Sequence, residues 1–325
     1  MKPSFSLPHH YKLNYQKNSN IVSEEYKVIY YNTQKNANST MKAQFVNVLG
    51  LGKTDDFPKD IHYNYNFPAA QQDELQSIYK DFLKFVILRN PWERLVSCYM
   101  NKIKNSSKTG EDYILESSPK LYIGMPFEEF VEVVYSIPDF RADFHFCSQT
   151  YLALYDDGTF PMNYLCNLEN LPFHLEEIKE TTGIPFTSLH QLNKSEAIRY
   201  ESFYTPDLVE KVAIRYQADI EFFKFKFGVV NKDFRFGVVS EKWKDEMLRH
   251  PMMISLVREK NQELIQQVKL KKIAQTREVK KMKKEIIVLQ KYQEELFIIK
   301  KSLPWKVAYP LRKMVSYFYS KRKIE

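Results

Sequence analysis

Seven residues between a predicted strand and a predicted helix have side chains that suit anion binding. The stretch Gln34–Thr40 reads QKNANST, with one lysine near its start and two hydroxyls at its end. The first N–H groups of a helix lack intrahelical partners and the helix dipole is positive there, so such a turn attracts phosphate or sulfate. Lys35 adds a point charge, and Ser39 or Thr40 is a candidate N-cap. The Walker A pattern is absent, and the alternative interpretation is an ordinary capped loop with a solvated lysine.

A second anion-binding pattern starts at Arg89. The stretch Arg89–Ser97 reads RNPWERLVS and follows the apolar run 82–88, which predicts a buried strand. Open α/β sheets bind their ligands at the carboxyl ends of their strands, where Arg89 stands. Its guanidinium fork and the hydroxyl of Ser97, two helical turns further on, could converge on one phosphate. The alternative is a structural ion pair for Arg89 and a packing role for Ser97.

His145 is the candidate general base. It lies between two phenylalanines in Asp143–Gln149, which reads DFHFCSQ. An imidazole with an ordinary pKa of about 6.5 can take a proton from a hydroxyl near neutral pH. The alternative is a packed or capping histidine. Asp143 either orients His145 or contacts the substrate, and the alternative is an ordinary loop residue.

Alternating strands and helices surround these residues. β-rich apolar runs predict strands over 26–31, 82–88 and 162–168. Helical spacing and capping signals predict helices over 39–49, 92–104, 127–135, 171–181 and 206–223. The fold class is therefore α/β with a parallel sheet.

Charge divides the chain into two parts. The 325 residues carry a net charge of +8, but residues 241–325 hold 22 Lys and Arg against 10 Asp and Glu. The preceding 240 residues are therefore slightly acidic, which disfavours a nucleic-acid-binding core.

Three cysteines without paired spacing fit a reducing compartment without a zinc site. No uncharged apolar run is long enough to span a bilayer, and no secretory signal is evident.

The ordered motifs resemble a known enzyme family. Strand–KxAxST–helix followed by strand–RNPxxRLxS–helix is similar to sulfotransferases that use 3′-phosphoadenosine 5′-phosphosulfate, in particular the Golgi-type carbohydrate sulfotransferases and their bacterial relatives (sulfotransferase family 2). Residues 143–149 resemble the family stretch D/N-x-H-W/F-x-P-Q, with Ser148 in place of the usual proline. Residues 165–171 resemble F-x-x-x-E-N-L, with Asn167 replacing a common basic residue. Residues 193–223 resemble the family's C-terminal block, so the resemblance covers about 27–228.

The resemblance implies a P-loop-like three-layer domain and a role for each site residue. The first loop would hold the 5′-phosphosulfate through Lys35, Asn36, Ala37, Asn38, Ser39 and Thr40. Arg89 and Ser97 would hold the 3′-phosphate. His145 would deprotonate a carbohydrate hydroxyl, and Lys35 would stabilise the charge that develops on the departing phosphate. Asp143, Gln149 and Arg94 are the expected substrate contacts, and the scheme requires no metal.

The chain is predicted to have three regions. They are a loose N-terminal arm over 1–24, the sulfotransferase domain over 25–235, and a basic extension over 241–325 that combines a long helix with an aromatic and basic tail. Apolar residues recur at 3–4 spacing in the extension, at Val279, Met282, Ile286, Leu289 and Leu296. This spacing leaves three interpretations: a solvated helix, self-association as a homo-oligomer, or attraction to an acidic glycan or an anionic membrane.

Residues 302–313 resemble the S-x-W-x-x-x-x-P-L-R tail of bacterial cell-surface polysaccharide glycosyltransferases. The resemblance implies a cytoplasmic enzyme, peripheral on the inner membrane, that modifies capsule, lipopolysaccharide or exopolysaccharide. Two competing functions stay open: a nucleotide-dependent phosphotransferase, and a non-catalytic membrane- or partner-binding scaffold.

Overall fold

A computed structural model describes residues 20–52, 61, 65–104, 118, 120–187, 199–231 and 236–301 of the chain. Five strands lie in one sheet: β1 Asn20–Ser23, β2 Val28–Tyr31, β3 Leu83–Leu88, β4 Tyr164–Asn167 and β5 Gly237–Val238. The helices of the described residues are α1 Asn38–Val48, α2 Gln72–Gln76, α3 Pro91–Tyr99, α4 Phe127–Tyr135, α5 Gln149–Ala153, α6 Leu171–Thr182, α7 Pro206–Arg215, α8 Gln217–Phe223, α9 Glu241–Arg249 and α10 Pro251–Lys301.

The sheet has the strand order β1-β2-β3-β4-β5. The three central strands are parallel, with Tyr30 paired to Phe85 and Phe85 paired to Tyr164. β1 and β5 are antiparallel edge strands. The predicted mixed α/β class with parallel central strands is therefore confirmed, whereas the finer likeness to P-loop proteins stays a prediction.

Helices cover both faces of this sheet, because alternate residues of a strand point to opposite sides. On one side Tyr30 and Phe85 pack with Phe45 of α1 and Ile178 of α6. On the other side Val86 belongs to a larger cluster that includes residues of α3, α4 and α7. The central strands are buried on both faces, which explains their nearly continuous apolar sequences.

The N-terminal boundary differs from the prediction. Asn20–Ser23, assigned to a loose arm, forms β1 and pairs with β2. Asn20 fixes this edge, since its Nδ2 donates to the carbonyl oxygen of Ala70 (3.0 Å) and its Oδ1 accepts from the Ala70 N–H (3.0 Å). Four residues are too few to show a strand pattern in the sequence. The pairing with β2 and the contacts with Ala70 therefore determine that this segment is a strand.

Three predicted helices also differ in detail. α1 begins at Asn38 with Ala37 as its N-cap and no side-chain cap, so neither Ser39 nor Thr40 caps it. The helix after Arg89 ends as an α-helix at Tyr99 and continues as a π-helical turn over Met100–Lys104. The single helix predicted over 206–223 is two helices, α7 and α8, which meet at Tyr216.

The described residues of the predicted extension, from 241 onward, are divided between two compact units. The described residues up to Leu264 form one compact unit, and those from Ile265 form a second. Met247 and Met253 are buried in the larger core cluster, and Lys260 donates through its Nζ to the carbonyl oxygen of Tyr151 (3.1 Å). The composition shift after Gly237 therefore precedes the division between the two units. The aromatic and basic tail after residue 301 lies outside the described residues, and among those described no helix is long and apolar enough to cross a membrane.

Candidate active site

The loop between β2 and α1 has the backbone shape of an anion-binding turn. Lys35 (φ 68°) and Ala37 (φ 56°) both adopt the left-handed conformation, although neither is glycine. A non-glycine residue in this region costs about 1–2 kcal/mol, so the two positions store strain in one short loop. A left-handed residue followed by a helical one turns successive N–H groups to the same side, and the result is a concave anion site. The backbone of Ala37 and Asn38 has this arrangement at the start of α1.

The side chain of Asn36 faces the protein interior. It is fully buried, and its Nδ2 donates to Thr33 Oγ1 (2.9 Å), the carbonyl oxygen of Ile87 (2.8 Å) and Gln149 Oε1 (2.7 Å). Asn36 therefore ties the loop to the end of β3 and leaves only its backbone for a ligand. Asn38 is also buried, and it donates to Gln34 Oε1 (3.1 Å).

The other predicted loop residues are more accessible. Lys35, Ser39 and Thr40 are partly exposed. The Lys35 Nζ donates to Asn101 Oδ1 (3.0 Å) in the π-helical turn, which holds the ammonium beside the loop.

Arg89 brings the second anion-binding turn onto the first. Its Nη1 donates to the carbonyl oxygen of Lys35 (3.0 Å), and its Nη2 pairs with Glu93 Oε1 (2.8 Å). Its Nε is buried and has no hydrogen-bond partner among the described residues. Ser97 lies in the second turn of α3 and is partly exposed. The structure therefore brings Lys35 and Arg89 together, as the motif spacing predicts.

Asp143 and His145 form a buried pair. Asp143 Oδ1 accepts from the His145 N–H (2.9 Å) and lies 2.7 Å from His145 Nδ1. With a proton on Nδ1, this bond leaves Nε2 as the basic nitrogen. Burial lowers the pKa of His145, Asp143 opposes that effect, and the positive charges of Lys102 and Lys35 add to it. Of the two roles open for Asp143, the geometry supports the orientation of His145.

Arg94 joins the histidine segment to the anion loop. It is buried, and its guanidinium donates to three carbonyl oxygens: Nε to Gln34 (3.1 Å), Nη1 to Cys147 (2.7 Å) and Nη2 to Phe144 (3.0 Å). All three nitrogens donate to backbone carbonyl oxygens, so Arg94 ties the two segments together, and its role as a substrate contact stays a prediction. Lysine could not make this fork.

This geometry can be set beside known proteins. The sequence profile of the sulfotransferase family matches residues 18–226. The chain belongs to the sulfotransferase family. Carbohydrate sulfotransferase 11 of Rattus norvegicus and of Mus musculus are each 32% identical over 97 residues, which is 27% of this chain and 27% of each relative. The chain thus spans about a quarter of the length of these relatives, and no solved structure matches it.

Gln149, a predicted substrate contact, joins the two candidate anion-binding turns. Its side chain is fully buried. Its Oε1 accepts from the Arg89 N–H (2.9 Å) as well as from Asn36, and its Nε2 donates to the Arg89 carbonyl oxygen (2.8 Å). One amide therefore holds both anion-binding turns in register.

Asp219 anchors Gln149 from α8. It is fully buried and accepts from the N–H groups of Gln149 (2.9 Å) and Thr150 (2.7 Å) and from Thr150 Oγ1 (2.7 Å). Burial raises its pKa, and these hydrogen bonds oppose the rise. The sequence gives a signal for this residue, because Asp219 stands in the family-like block, but its role depends on a contact 70 residues away in sequence.

Ser148, where the family stretch usually has proline, is the N-cap of α5. Its N–H donates to Asp139 Oδ1 (2.9 Å) and its Oγ donates to Asp139 Oδ2 (2.5 Å). Arg215 Nη2 pairs with the same carboxylate (2.7 Å). Burial alone would raise the pKa of Asp139, but the charge and hydrogen bond of Arg215 and the bonds from Ser148 outweigh burial, so its pKa is lowered.

Two tyrosines of the C-terminal block donate hydrogen bonds to the backbone beside the candidate site. Tyr216 donates to the carbonyl oxygen of Phe146 (2.7 Å), and Tyr204 donates to that of Trp92 (2.8 Å). Both side chains are thus tied to backbone next to predicted site residues.

Asn167, at the end of β4, is buried and accepts from His174 Nε2 (2.7 Å). Within the described part of the chain, no group of three or more His, Cys, Asp or Glu side chains could hold a metal ion.

Proposed function

We propose that this chain transfers a sulfuryl group from 3′-phosphoadenosine 5′-phosphosulfate to a hydroxyl of a carbohydrate. The observation that carries the proposal is one hydrogen-bonded set of residues. It connects the candidate 5′-phosphosulfate loop, the candidate 3′-phosphate residue and the candidate general base. The strained loop at the start of α1 is bonded to Arg89, and Arg94 ties the same loop to the segment of His145. The family and the similarity to carbohydrate sulfotransferase 11 support this assignment.

The residues present fit an anionic donor. The first turn of α1 offers backbone N–H groups, Lys35 offers an ammonium, and Ser39 and Thr40 offer hydroxyls close to the same turn. Arg89 adds a guanidinium whose buried Nε has no partner among the described residues. When bound, the donor supplies a sulfuryl group already activated by its link to phosphate.

In the proposed reaction His145 acts on the acceptor. Its Nε2 takes the proton of the acceptor hydroxyl while Nδ1–H stays bonded to Asp143. The freed oxygen then forms a bond to sulfur as the bond between sulfur and the phosphate oxygen breaks. Lys35 and the start of α1 stabilise the negative charge that remains on that phosphate oxygen. Arg94 and Gln149 keep these groups in fixed positions, which lowers the cost of reorganisation during transfer.

The biological setting is a separate proposal. The resemblance of residues 302–313 to a tail of bacterial polysaccharide glycosyltransferases supports a capsule, lipopolysaccharide or exopolysaccharide acceptor. It also supports a cytoplasmic enzyme with peripheral contact to the inner membrane through the basic tail. Transfer of labelled sulfate to a panel of bacterial surface glycans tests the acceptor class, and vesicle sedimentation with and without residues 302–325 tests the membrane contact.

Calorimetric titration tests the donor site. We expect 3′-phosphoadenosine 5′-phosphate to bind the wild-type chain, and Lys35→Ala and Arg89→Ala to weaken binding at least tenfold, a loss of about 1.4 kcal/mol or more. Lys27→Ala is the matched control, because Lys27 is also a left-handed lysine (φ 53°) but stands at the opposite end of β2. Binding of ATP with Mg²⁺ in preference to this nucleotide would instead favour a phosphotransferase.

Turnover tests the histidine. His145→Ala should abolish sulfate transfer and keep nucleotide binding, which separates the base from the donor site. Full turnover in that variant would remove His145 from the mechanism. A wild-type chain that binds no nucleotide, yet sediments with vesicles, would favour the scaffold alternative.

A further inference from the structure

The second unit of the chain presents a repeating apolar stripe on one helix. From Ile265 onward α10 continues without a break to Lys301. Six large apolar side chains lie along the stripe and are about half exposed, between 46% and 62%: Ile265, Val268, Val279, Met282, Ile286 and Leu289. Leu270, Ile273, Ile287 and Val288, on other faces of the helix, are exposed to a similar extent. A row of half-exposed apolar side chains of this length indicates an interaction surface.

The stripe follows a seven-residue repeat. In heptad notation the a positions are Ile265, Lys272, Val279 and Ile286, and the d positions are Val268, Gln275, Met282 and Leu289. Every apolar residue at an a position is β-branched. At the d positions of the last two heptads stand Met282, which is unbranched, and Leu289, which is branched at Cγ. This distribution favours two-stranded parallel coiled coils, and a single polar a residue such as Lys272 fixes the register.

The charges beside the stripe complement a second copy of the same helix. Glu278 occupies a g position and Lys283 the following e position. In a parallel, in-register pair, each Glu278 faces Lys283 of the other strand. An antiparallel pair centred on the same apolar residues would instead place Lys283 beside Lys283 and Glu285 beside Glu285.

The polar layers within the stripe disfavour a membrane surface as the partner. Residues 265–289 carry eight Lys or Arg against two Glu, so charge by itself attracts an anionic bilayer and does not exclude it. Lys272 and Gln275 interrupt the apolar face that would enter the bilayer, whereas a coiled-coil seam tolerates such polar layers.

We propose that residues 265–289 of α10 form a parallel, in-register, two-stranded coiled coil with a second copy of this chain. The assembly carries two sulfotransferase domains. The proposal does not depend on the donor or the acceptor of the reaction, so its failure and the failure of the proposed function are distinguishable.

A pair of neighbouring substitutions tests the interface. Ile286 (a position, 52% exposed) and Ile287 (outward b position, 63% exposed) have the same side chain and similar exposure in the single chain. We expect the full-length wild type to sediment at twice its chain mass of 38.8 kDa. Ile286→Lys should raise the dissociation constant of the dimer by about 100-fold or more, because two unpaired ammonium groups would be buried at the seam.

Ile287→Lys is the control and should stay dimeric, while both variants keep the helix content and nucleotide binding of the wild type. A monomeric wild type, or equal dissociation constants for the two variants, would overturn the proposal. A monomer that still sediments with anionic vesicles after removal of residues 302–325 would identify a membrane as the partner of the stripe instead.

Orientation is tested by cross-linking and by charge exchange. Under oxidation Leu289→Cys should give a disulfide-linked dimer, because d residues of parallel in-register strands face each other, whereas Val288→Cys at an outward c position should not. The native cysteines Cys98, Cys147 and Cys166 are buried and do not compete. Glu278→Lys should weaken the dimer, and addition of Lys283→Glu should restore it. A dimer that resists cross-linking at 289 would overturn the parallel arrangement.

Discussion

Substitution of Ser148 by proline is expected to destabilise this protein, although proline is usual at that place in the family stretch. The backbone of Ser148 (φ −62°) already suits proline, and the reduced freedom of the unfolded chain would add about 0.4–1 kcal/mol of stability. The backbone angle alone therefore predicts a harmless change.

The hydrogen bonds predict the opposite. Proline lacks both the N–H and the hydroxyl that bind the two oxygens of Asp139. Each bond to a charged group is worth about 1.5–3 kcal/mol, and loss of the cap to the Tyr151 N–H costs about 1 kcal/mol more. After the gain in the unfolded state is subtracted, the free energy of unfolding should fall by about 3–6 kcal/mol.

Urea denaturation followed by tryptophan fluorescence measures this loss. Ser148→Ala, which keeps the N–H, should lose about 2–4 kcal/mol and remain measurable if the proline variant does not fold. Ser136→Ala is the matched control, because Ser136 is exposed and its loss should change stability by no more than about 0.5 kcal/mol. A proline variant as stable as the wild type would refute the assignment of Asp139 as the partner that makes serine necessary.

Three further outcomes follow from the site. Ala37→Gly should raise the free energy of unfolding by about 0.5–1 kcal/mol in urea denaturation, because glycine relieves the strain at φ 56° but costs backbone entropy; a loss of stability would contradict it. Arg94→Lys should lower that free energy by about 3 kcal/mol or more, since at least two of three buried carbonyl oxygens lose their donor. The pKa of His145 is lowered, so the acidic limb of the pH profile of kcat/KM should lie below about pH 6.5. For the same reason the free energy of unfolding should fall as the pH drops below about 6.5, because the unfolded chain binds the proton before the folded chain does. A limb centred above pH 6.5 would exclude His145 as its source.

Local signals in the sequence were sufficient for the main elements of the domain. β2, β3 and β4 are short β-rich runs, and central strands buried on both faces read as continuous apolar segments. Strands and helices that alternate along the chain predict parallel pairing, and the three central strands confirm it. β1 was missed because four residues at an edge carry no such pattern, and their position depends on β2 and on Ala70.

The candidate site also combines features that local sequence indicates with features that depend on tertiary contacts. Motif spacing indicated that the loop at Lys35 and the turn at Arg89 serve one anionic ligand, and in the structure the Arg89 guanidinium donates to the Lys35 carbonyl oxygen. The sequence did not reveal that Arg94 and Gln149 are buried and bonded within the protein, because a polar residue in a motif looks the same in sequence whether it faces a ligand or the interior. Burial and hydrogen-bond partners distinguish the two cases, and they depend on residues far away in the chain such as Asp219.

The sequence by itself determined the residue types available for chemistry, their order, and the strands and helices that carry them, since these follow from local composition and periodicity. Only the tertiary structure decided which side chains are free to meet a ligand and which hold others in place. It also decided that Met247, Met253 and Lys260, all within the predicted extension, pack with residues of the first compact unit in a way that no local pattern reveals. The physical reason is the same for both: a side chain gains its role from the groups that surround it after folding.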